Sequence, residues 1–373
     1  MRLRISRTFF ALSLAFLFLL PAHALAQTQT PARRQSAEWR SFRGTVGKYK
    51  VQMRLRRAGE VLSGTYFYEN VRVGTYFYAD ARGSLRLEGT IYADGHFTLH
   101  EFNADDAQTG LFKGTWDNEE REQEVYLTGQ WSRPDGTRQT EFSLAEMFVA
   151  FSAPAFIFTR EIKDTNKRLN FQISVEYPQV AGMPAAAGFN AAARALAAKE
   201  AADFRKGVAD YLADYRGEKP SGPGNSLDLG YYVDYADNNL VSIGFTEDTY
   251  YAGAAHPNHA TVVLNYDLKA GRALRLADLF RPGSPYLKTI SDYCLKELKG
   301  DSDLEGTTDM IDAGASARLE NYRNWLVKRQ GLEITFDPYQ VGPYVAGPQY
   351  VTIPYKALAK IINPAGPLAP FLK

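Results

Sequence analysis

The sequence predicts an all-β antiparallel meander followed by an α+β region, in which a mixed or antiparallel sheet carries packed helices. Three observations lead there. Between Ser41 and Phe142, short runs such as "YKVQMRLR", "LSGTYFYE", "SLRLEGTIY", "FTLHEF", "GLFKGTW" and "VYLTGQW" alternate apolar and polar residues, with Gly, Asp or Asn between most of them. After Pro184 a long stripe at helical spacing interrupts this grammar. Beyond it, strands, helices and strands succeed one another without regular alternation, which points to α+β rather than a parallel α/β sheet.

The chain opens "MRLRISRTFFALSLAFLFLLPAHALA". Arg2, Arg4 and Arg7 precede an apolar run from Phe9 to Leu20, and Ala24-Leu25-Ala26 supplies small residues at a cleavage position. This is the pattern of a secretory signal peptide over residues 1–26. It predicts an exported protein, periplasmic or secreted after cleavage near Ala26, with no stable membrane span in the mature chain. Residues 27–40 read as a flexible lead-in.

Residues 41–150 read as the meander, curled or partly closed. "GTYFY" occurs at 64–68 and again at 74–78, and "GTW" at 114–116 is echoed by "GQW" at 129–131. Tyr and Trp on such strands could line a glycan-binding cup, or one face could simply pack a core. His96 and His100 stand four apart on one strand and so share a face. No local Cys or carboxylate completes a metal set with them.

Residues 155–373 read as the α+β region. "LNFQISVEYP" is a strand, and Phe189, Ala193, Leu196, Phe204, Val208, Tyr211 and Tyr215 form a helical stripe opened by Pro184 and stopped near Gly217. The loop "GEKPSGPGNS" at 217–226 lacks the Lys-Ser/Thr ending of a phosphate loop. A hairpin turns at Asp237-Asn238-Asn239 and another at Lys269-Ala270-Gly271. Leu287, Ile290, Cys294 and Leu298 share one helical face. Ala315, Leu319, Tyr322 and Leu326 predict another, before the strands "LEITF" and "QYVTIP" and a short last helix after Pro354.

Charge and cysteine content narrow the function classes. Removing the three arginines of the leader leaves 40 basic against 42 acidic residues, close to −2, without a basic cluster. Nucleic acid is therefore not an expected partner. The single cysteine, Cys294, cannot form an internal disulfide and falls on an apolar helical face. No cofactor or metal motif is complete.

The stretch "YYAGAAHPNH" at 250–259 concentrates the side chains capable of chemistry. His256 and His259 are three apart, but Pro257 forces the preceding residue toward an extended conformation, so they are not a helix-borne ligand pair. Glu247 and Asp248 precede them as an acid/base alternative with His256. No G-x-S-x-G or H-E-x-x-H accompanies them.

Three blocks, "YYAGAAHPN", "NYDLKAGRALRLADLF" and "ITFDPYQVGPYVAGPQYVTIPY", resemble the C-terminal domain of unknown function shared by RsiV-type lysozyme-responsive anti-sigma factors and PdaC-type peptidoglycan deacetylases. The matching positions are Tyr251, Gly253, Ala255, His256, Pro257 and Asn258; then Asp278, Leu279 and Phe280; then Phe336, Pro338, Tyr339, Val341, Gly342, Pro343, Tyr344 and Gly347; and finally Ile353, Pro354 and Tyr355. Ala254 stands where the family commonly has a second Gly. The part before resembles the companion domain that usually precedes this one. The resemblance implies an envelope binding module whose ligand is a lysozyme-like protein or a peptidoglycan fragment, since in the deacetylases the chemistry belongs to a separate domain. The expected cleft comprises Tyr250, Tyr251, His256, Asn258, Tyr339 and Tyr344, provided that the His256 turn and the 337–348 loop lie together. The alternative is a hydrolase acting on envelope glycans through Glu247, Asp248 and His256.

Overall fold

Eight consecutive strands make the first part of the fold: β1 (Glu38–Val46), β2 (Tyr49–Ala58), β3 (Val61–Tyr68), β4 (Leu85–Ile91), β5 (His96–Phe102), β6 (Gln108–Glu119), β7 (Glu124–Ser132) and β8 (Thr140–Met147). The computed structural model describes residues 38–69, 84–119, 124–152, 155–214 and 224–372. The leader, the lead-in up to residue 37, the second "GTYFY", Tyr215 at the end of the expected helical stripe and most of the 217–226 loop with Gly217 lie outside these residues. Each strand pairs antiparallel with the next, and β1 pairs β8 from Ser41↔Met147 to Val46↔Phe142, so the meander is a closed barrel.

The alternation of the strands fills this barrel. Phe42, Leu55, Leu62, Tyr66, Leu87, Leu99, Phe112 and Leu144 are fully buried inside it. An eight-stranded barrel is just wide enough for its side chains to fill. The inward aromatics Phe42, Tyr66, Phe97, Phe112 and Phe142 thus serve the core rather than a ligand cup, while Trp39, Tyr49 and Tyr92 are exposed. The "GTW/GQW" echo sets Gly114 directly opposite Gly129. A Cβ on Gly114 would strike Thr128 of the facing strand, so glycine permits the close approach there. Glu101 is buried in this interior and accepts from Tyr66 Oη, Thr109 Oγ1 (2.5 Å) and Trp131 Nε1 (2.9 Å). His96 and His100 share the outer face, both exposed.

The second sheet has seven strands: β9 (Val149–Ala150), β10 (Phe156–Asn166), β11 (Phe171–Ala181), β12 (Asn225–Asp237), β13 (Leu240–Tyr250), β14 (Asn258–Asp267) and β15 (Arg272–Ala273). Their order is β10-β11-β12-β13-β14-β15, with β9 also paired to β12. Most pairs are antiparallel, but β12 runs parallel to β11 and β9, so the sheet is mixed. The β11–β12 connection needs a crossover, and α1 (Ala187–Asp214) supplies it. Phe189, Ala193, Ala197, Ala201, Phe204 and Val208 of α1 are buried against Ile243 and Phe245 of β13 and Val175 of β11. The three alanines let the helix lie close to the sheet.

A third layer is the antiparallel sheet of β16 (Trp325–Val327), β17 (Gly331–Phe336) and β18 (Gln349–Pro354). It is covered by α2 (Tyr286–Lys299), α3 (Thr308–Gly314) and α4 (Tyr355–Leu358). Ile290, Cys294 and Leu298 of α2 are buried as expected. The helix expected through Ala315, Leu319, Tyr322 and Leu326 does not form. Arg318 is extended (φ −113°, ψ 139°), Leu319–Tyr322 is one 3-10 turn, and Leu326 lies in β16. The stripe failed because Tyr322 Oη returns to the Ala315 carbonyl at 2.5 Å and Asn321 caps Ala313 and Ser316, so the chain turns back instead of winding on.

An ionic network fastens the barrel to the mixed sheet. Arg43 of β1 donates to Glu69 (2.8 and 3.1 Å), to Glu176 of β11 (3.2 Å), to Thr159 Oγ1 (3.1 Å) and to the Tyr231 carbonyl (2.8 Å). Its guanidinium lies 4.1 Å from the Tyr231 ring centre. Lys50 adds a second ion pair to Glu176.

Candidate functional site

The candidate surface begins where β13 ends. Asn225 Oδ1 accepts from Ala252 N at 2.9 Å, and Tyr211 Oη of α1 donates to the Ala252 carbonyl at 2.9 Å. With its base held, the chain reverses at Gly253, whose φ of +93° suits glycine. Ala254 N closes the turn onto the Tyr251 carbonyl at 2.9 Å. His256-Pro257 then leads into β14, and His256 Nδ1 donates to the Pro257 carbonyl at 2.7 Å.

The 337–347 loop is anchored from beneath. Asp337 accepts from Thr261 N (2.9 Å), Arg323 (3.0 Å) and Asn324 Nδ2 (3.0 Å). Gln340 Nε2 donates to the Gly314 and Asn321 carbonyls, and Val341 is buried. These ties hold Tyr339 at φ +70°, a left-handed conformation rare for a bulky residue, and leave its ring 59% exposed. Gly347 ends the loop at φ 68°, ψ −169°, a region open essentially to glycine alone.

The turn and the loop meet. Tyr344 Oη donates to the Pro257 carbonyl at 2.7 Å. The Tyr344 ring centre lies 4.3 Å from that of His256, 6.0 Å from His259 and 5.4 Å from Tyr339. Four rings therefore form one half-exposed aromatic surface. His259 is additionally paired through Nδ1 with Asp248, its direct cross-strand partner. Asp228 stands on the other side of Asp248 in the same row. Burial, and then the Asp248 charge, push the Asp228 carboxyl above its ordinary range.

Two expected members of this set point elsewhere. Successive residues of a strand face opposite sides of the sheet. Asp248 faces His259, so Glu247 faces α1, where burial and then Glu200 raise its carboxyl above the ordinary range. The acid/base trio of Glu247, Asp248 and His256 is therefore split across the sheet and is not assembled. Tyr251 likewise turns toward α1, 5.6 Å from Phe204 and 6.1 Å from Tyr211, with Gly207 below its ring. Tyr250 and Asn258 sit at the ends of β13 and β14, beside the aromatic surface. Sequence reasoning did not join His259 to Asp248 or single out Asp337. Their signals were the cross-strand register and the Asp preceding Pro338. Among the described residues no group of three or more His, Cys, Asp or Glu is arranged to hold a metal ion.

Comparisons with known proteins fall on this half of the chain. Residues 277–356 match the family described as protein of unknown function (DUF3298), and residues 164–259 match the family described as deacetylase PdaC. The chain carries a PdaC-type domain followed by a DUF3298 domain. A similar curated protein is the peptidoglycan-N-acetylmuramic acid deacetylase PdaC of Bacillus subtilis (strain 168), 26% identical over 198 residues. The match spans 53% of this chain but only 40% of that protein. Among solved structures, a DUF3298 family member from Bacteroides fragilis is 20% identical with a TM-score of 0.43, covering 59% of this chain and 98% of its own. A DUF3298 family protein from Pseudomonas aeruginosa PAO1 is 19% identical with a TM-score of 0.42, covering 57% and 94%.

The ridge of β1 and β8 also meets β12, β17 and β18 across a cavity of about 510 Å³. It is lined by Arg43, Lys50, Glu146, Tyr232, Lys328 and Tyr350, among others. Lys328 is buried and paired with Glu333 at 2.8 Å and Asp234 at 3.6 Å. These residues lie on both parts of the chain; Tyr350 falls within the third matching block, but no local motif joined it to the others.

Proposed function

We propose that this chain is an exported, non-catalytic binding module of the cell envelope that holds a peptidoglycan fragment on the His256–Tyr344–Tyr339 surface. The observation that carries the reading is the rigid, half-exposed group of rings. Tyrosine and histidine faces pack against the C–H faces of a sugar, while their polar tips and Asp248 accept or donate to its hydroxyls. The similarity to a peptidoglycan deacetylase supports the glycan as ligand class. The separation of Glu247 from Asp248 and His256 favours binding over turnover.

One observation favours a protein ligand as a second reading. Tyr339 is 59% exposed beside Tyr344, with Val345 at 91% next to them, and tyrosine is enriched at the hot spots of protein interfaces. A lysozyme-like protein is that candidate.

The test is calorimetric titration of the protein with purified soluble peptidoglycan fragments and, in parallel, with an animal-type lysozyme. Saturable binding of the fragments, weakened at least tenfold by Tyr344→Ala, is expected. Lysozyme binding alone would move the surface to the second reading. Binding of neither, or fragment binding indifferent to Tyr344→Ala and Tyr339→Ala, would sink the proposal.

A further inference from the structure

The cavity between the barrel and the two sheets has the chemistry of a second ligand site, distinct from the Tyr344 surface. Its volume of about 510 Å³ falls within the roughly 300–1,000 Å³ usual for small-molecule sites. Its charged groups are balanced. Arg43, Lys50 and Lys328 stand against Glu146, Asp234 and Glu333 on the lining. Each is engaged within the protein: Arg43 and Lys50 on Glu176, Lys328 on Glu333 and Asp234, Glu146 on Arg40 at 2.8 Å. An ionic ligand would have to compete with these pairs and leave one charge in excess, a cost that a neutral ligand avoids.

The remaining lining is tyrosine and short apolar side chains. Tyr126 comes from β7, Tyr232 from β12 and Tyr350 from β18, with Ala145, Met147 and Val233 between them. Tyr232 is fixed in place, because its ring lies over Gly244, where any Cβ would strike it. Tyr350 is 52% exposed and stands at the solvent side. Ring faces with hydroxyls at their tips, beside donors and acceptors of both kinds, match a molecule with C–H faces and many hydroxyls.

We propose that this cavity binds a neutral saccharide of one or two rings. The sugar stacks on Tyr232 and Tyr350, and its hydroxyls meet Lys328, Glu333 and Glu146 on the cavity lining.

The experiment titrates the full chain calorimetrically with N,N′-diacetylchitobiose, cellobiose and maltose, and with glucuronic acid and glucosamine as charged counterparts. The expected result is saturable binding of at least one neutral disaccharide and none of the charged sugars. Tyr350→Ala, at a half-exposed position, should weaken it at least tenfold. Thermal melting checks that Tyr350→Ala remains folded. If it does not, Tyr350→Phe, which keeps the ring, should lower affinity severalfold. No binding by any neutral sugar, equal binding of the charged sugars, or loss with Tyr344→Ala but not with the Tyr350 variants would overturn the proposal. In the last case the sugar would be occupying the surface of the proposed function instead.

Discussion

Replacing Arg43 with methionine tests what holds the barrel on the mixed sheet. The Arg43 side chain is 15% exposed, and its bidentate partner Glu69 is 1% exposed. Burial alone pushes Glu69 upward, but the Arg43 charge and the hydrogen bonds from Arg43, Gln52 and Thr159 outweigh it, so the carboxyl ends below its ordinary range. Methionine keeps the bulk of the stem and removes the charge. Glu69 is then buried without its cation, whereas Glu176 retains Lys50. Breaking a buried pair from one side costs about 3–5 kcal/mol. The double variant Arg43→Met/Glu69→Leu removes both charges, and most of that loss should return, because a buried pair and an apolar replacement are often near parity. The assay is urea denaturation, followed by far-UV circular dichroism and tryptophan fluorescence so that separate melting of the barrel would show.

The pH dependence supplies the sign. A carboxyl lowered in the folded state stabilises above its unfolded value of about 4.3, and that contribution is lost as pH falls through the folded value. In Arg43→Met the Glu69 carboxyl should be raised instead, so this variant should gain stability relative to wild type as pH falls. A single variant costing under about 1 kcal/mol, or a double variant no better than the single one, would refute the assignment of Arg43 as the compensating charge.

Three further outcomes are expected. Glu247→Gln should stabilise the protein at neutral pH, because burial raises Glu247 in the folded state; the gain should disappear below about pH 4, where the carboxyl is protonated in both states, and denaturation curves across pH would show it. Gly207→Ala sets a Cβ 2.5 Å from the Tyr251 hydroxyl, the tip of a ring that can shift, while adding about 1 kcal/mol of helix propensity, so chemical denaturation should show a net change within about 1 kcal/mol of wild type; a loss of about 2 kcal/mol or more would show that the Tyr251 ring is held fast. Tyr339→Asn should raise the melting temperature, by relieving about 1 kcal/mol of left-handed strain, while weakening ligand binding at the Tyr344 surface; a variant that lost stability would show that the ring itself holds the loop.

Much of the fold was readable from short-range patterns. Alternation and turn residues marked the barrel strands, and the stripe from Phe189 to Val208 marked α1. Closure of the barrel was not readable, because it depends on Ser41 meeting Met147 across about a hundred residues. The stripe through Ala315 and Leu326 misled, because over so few residues the helical period does not tell a helix from a turn followed by a strand. At the candidate site, the motifs named His256 and Tyr344 but left open whether their turn and loop lie together, and the facing of Glu247 and Tyr251 required the register of β13. Strand parity assigns each side chain to one face or the other, and a one-residue error in a strand's limits reverses every assignment. The cavity was invisible in sequence because its walls come from seven strands in three parts of the fold that are remote along the chain.

The polar character of the junction between barrel and sheet has a geometric consequence. Greasy faces can slide over one another at little cost. A bidentate guanidinium cannot, since each of its N–H directions must meet an oxygen. Arg43 points at once to Glu69, Glu176, Thr159 and Tyr231, and it also forms part of the cavity wall. The same side chain thus works as a gauge block, setting how far apart the two walls stand. Any change that loosened it would be felt first as an altered fit in the space beside it.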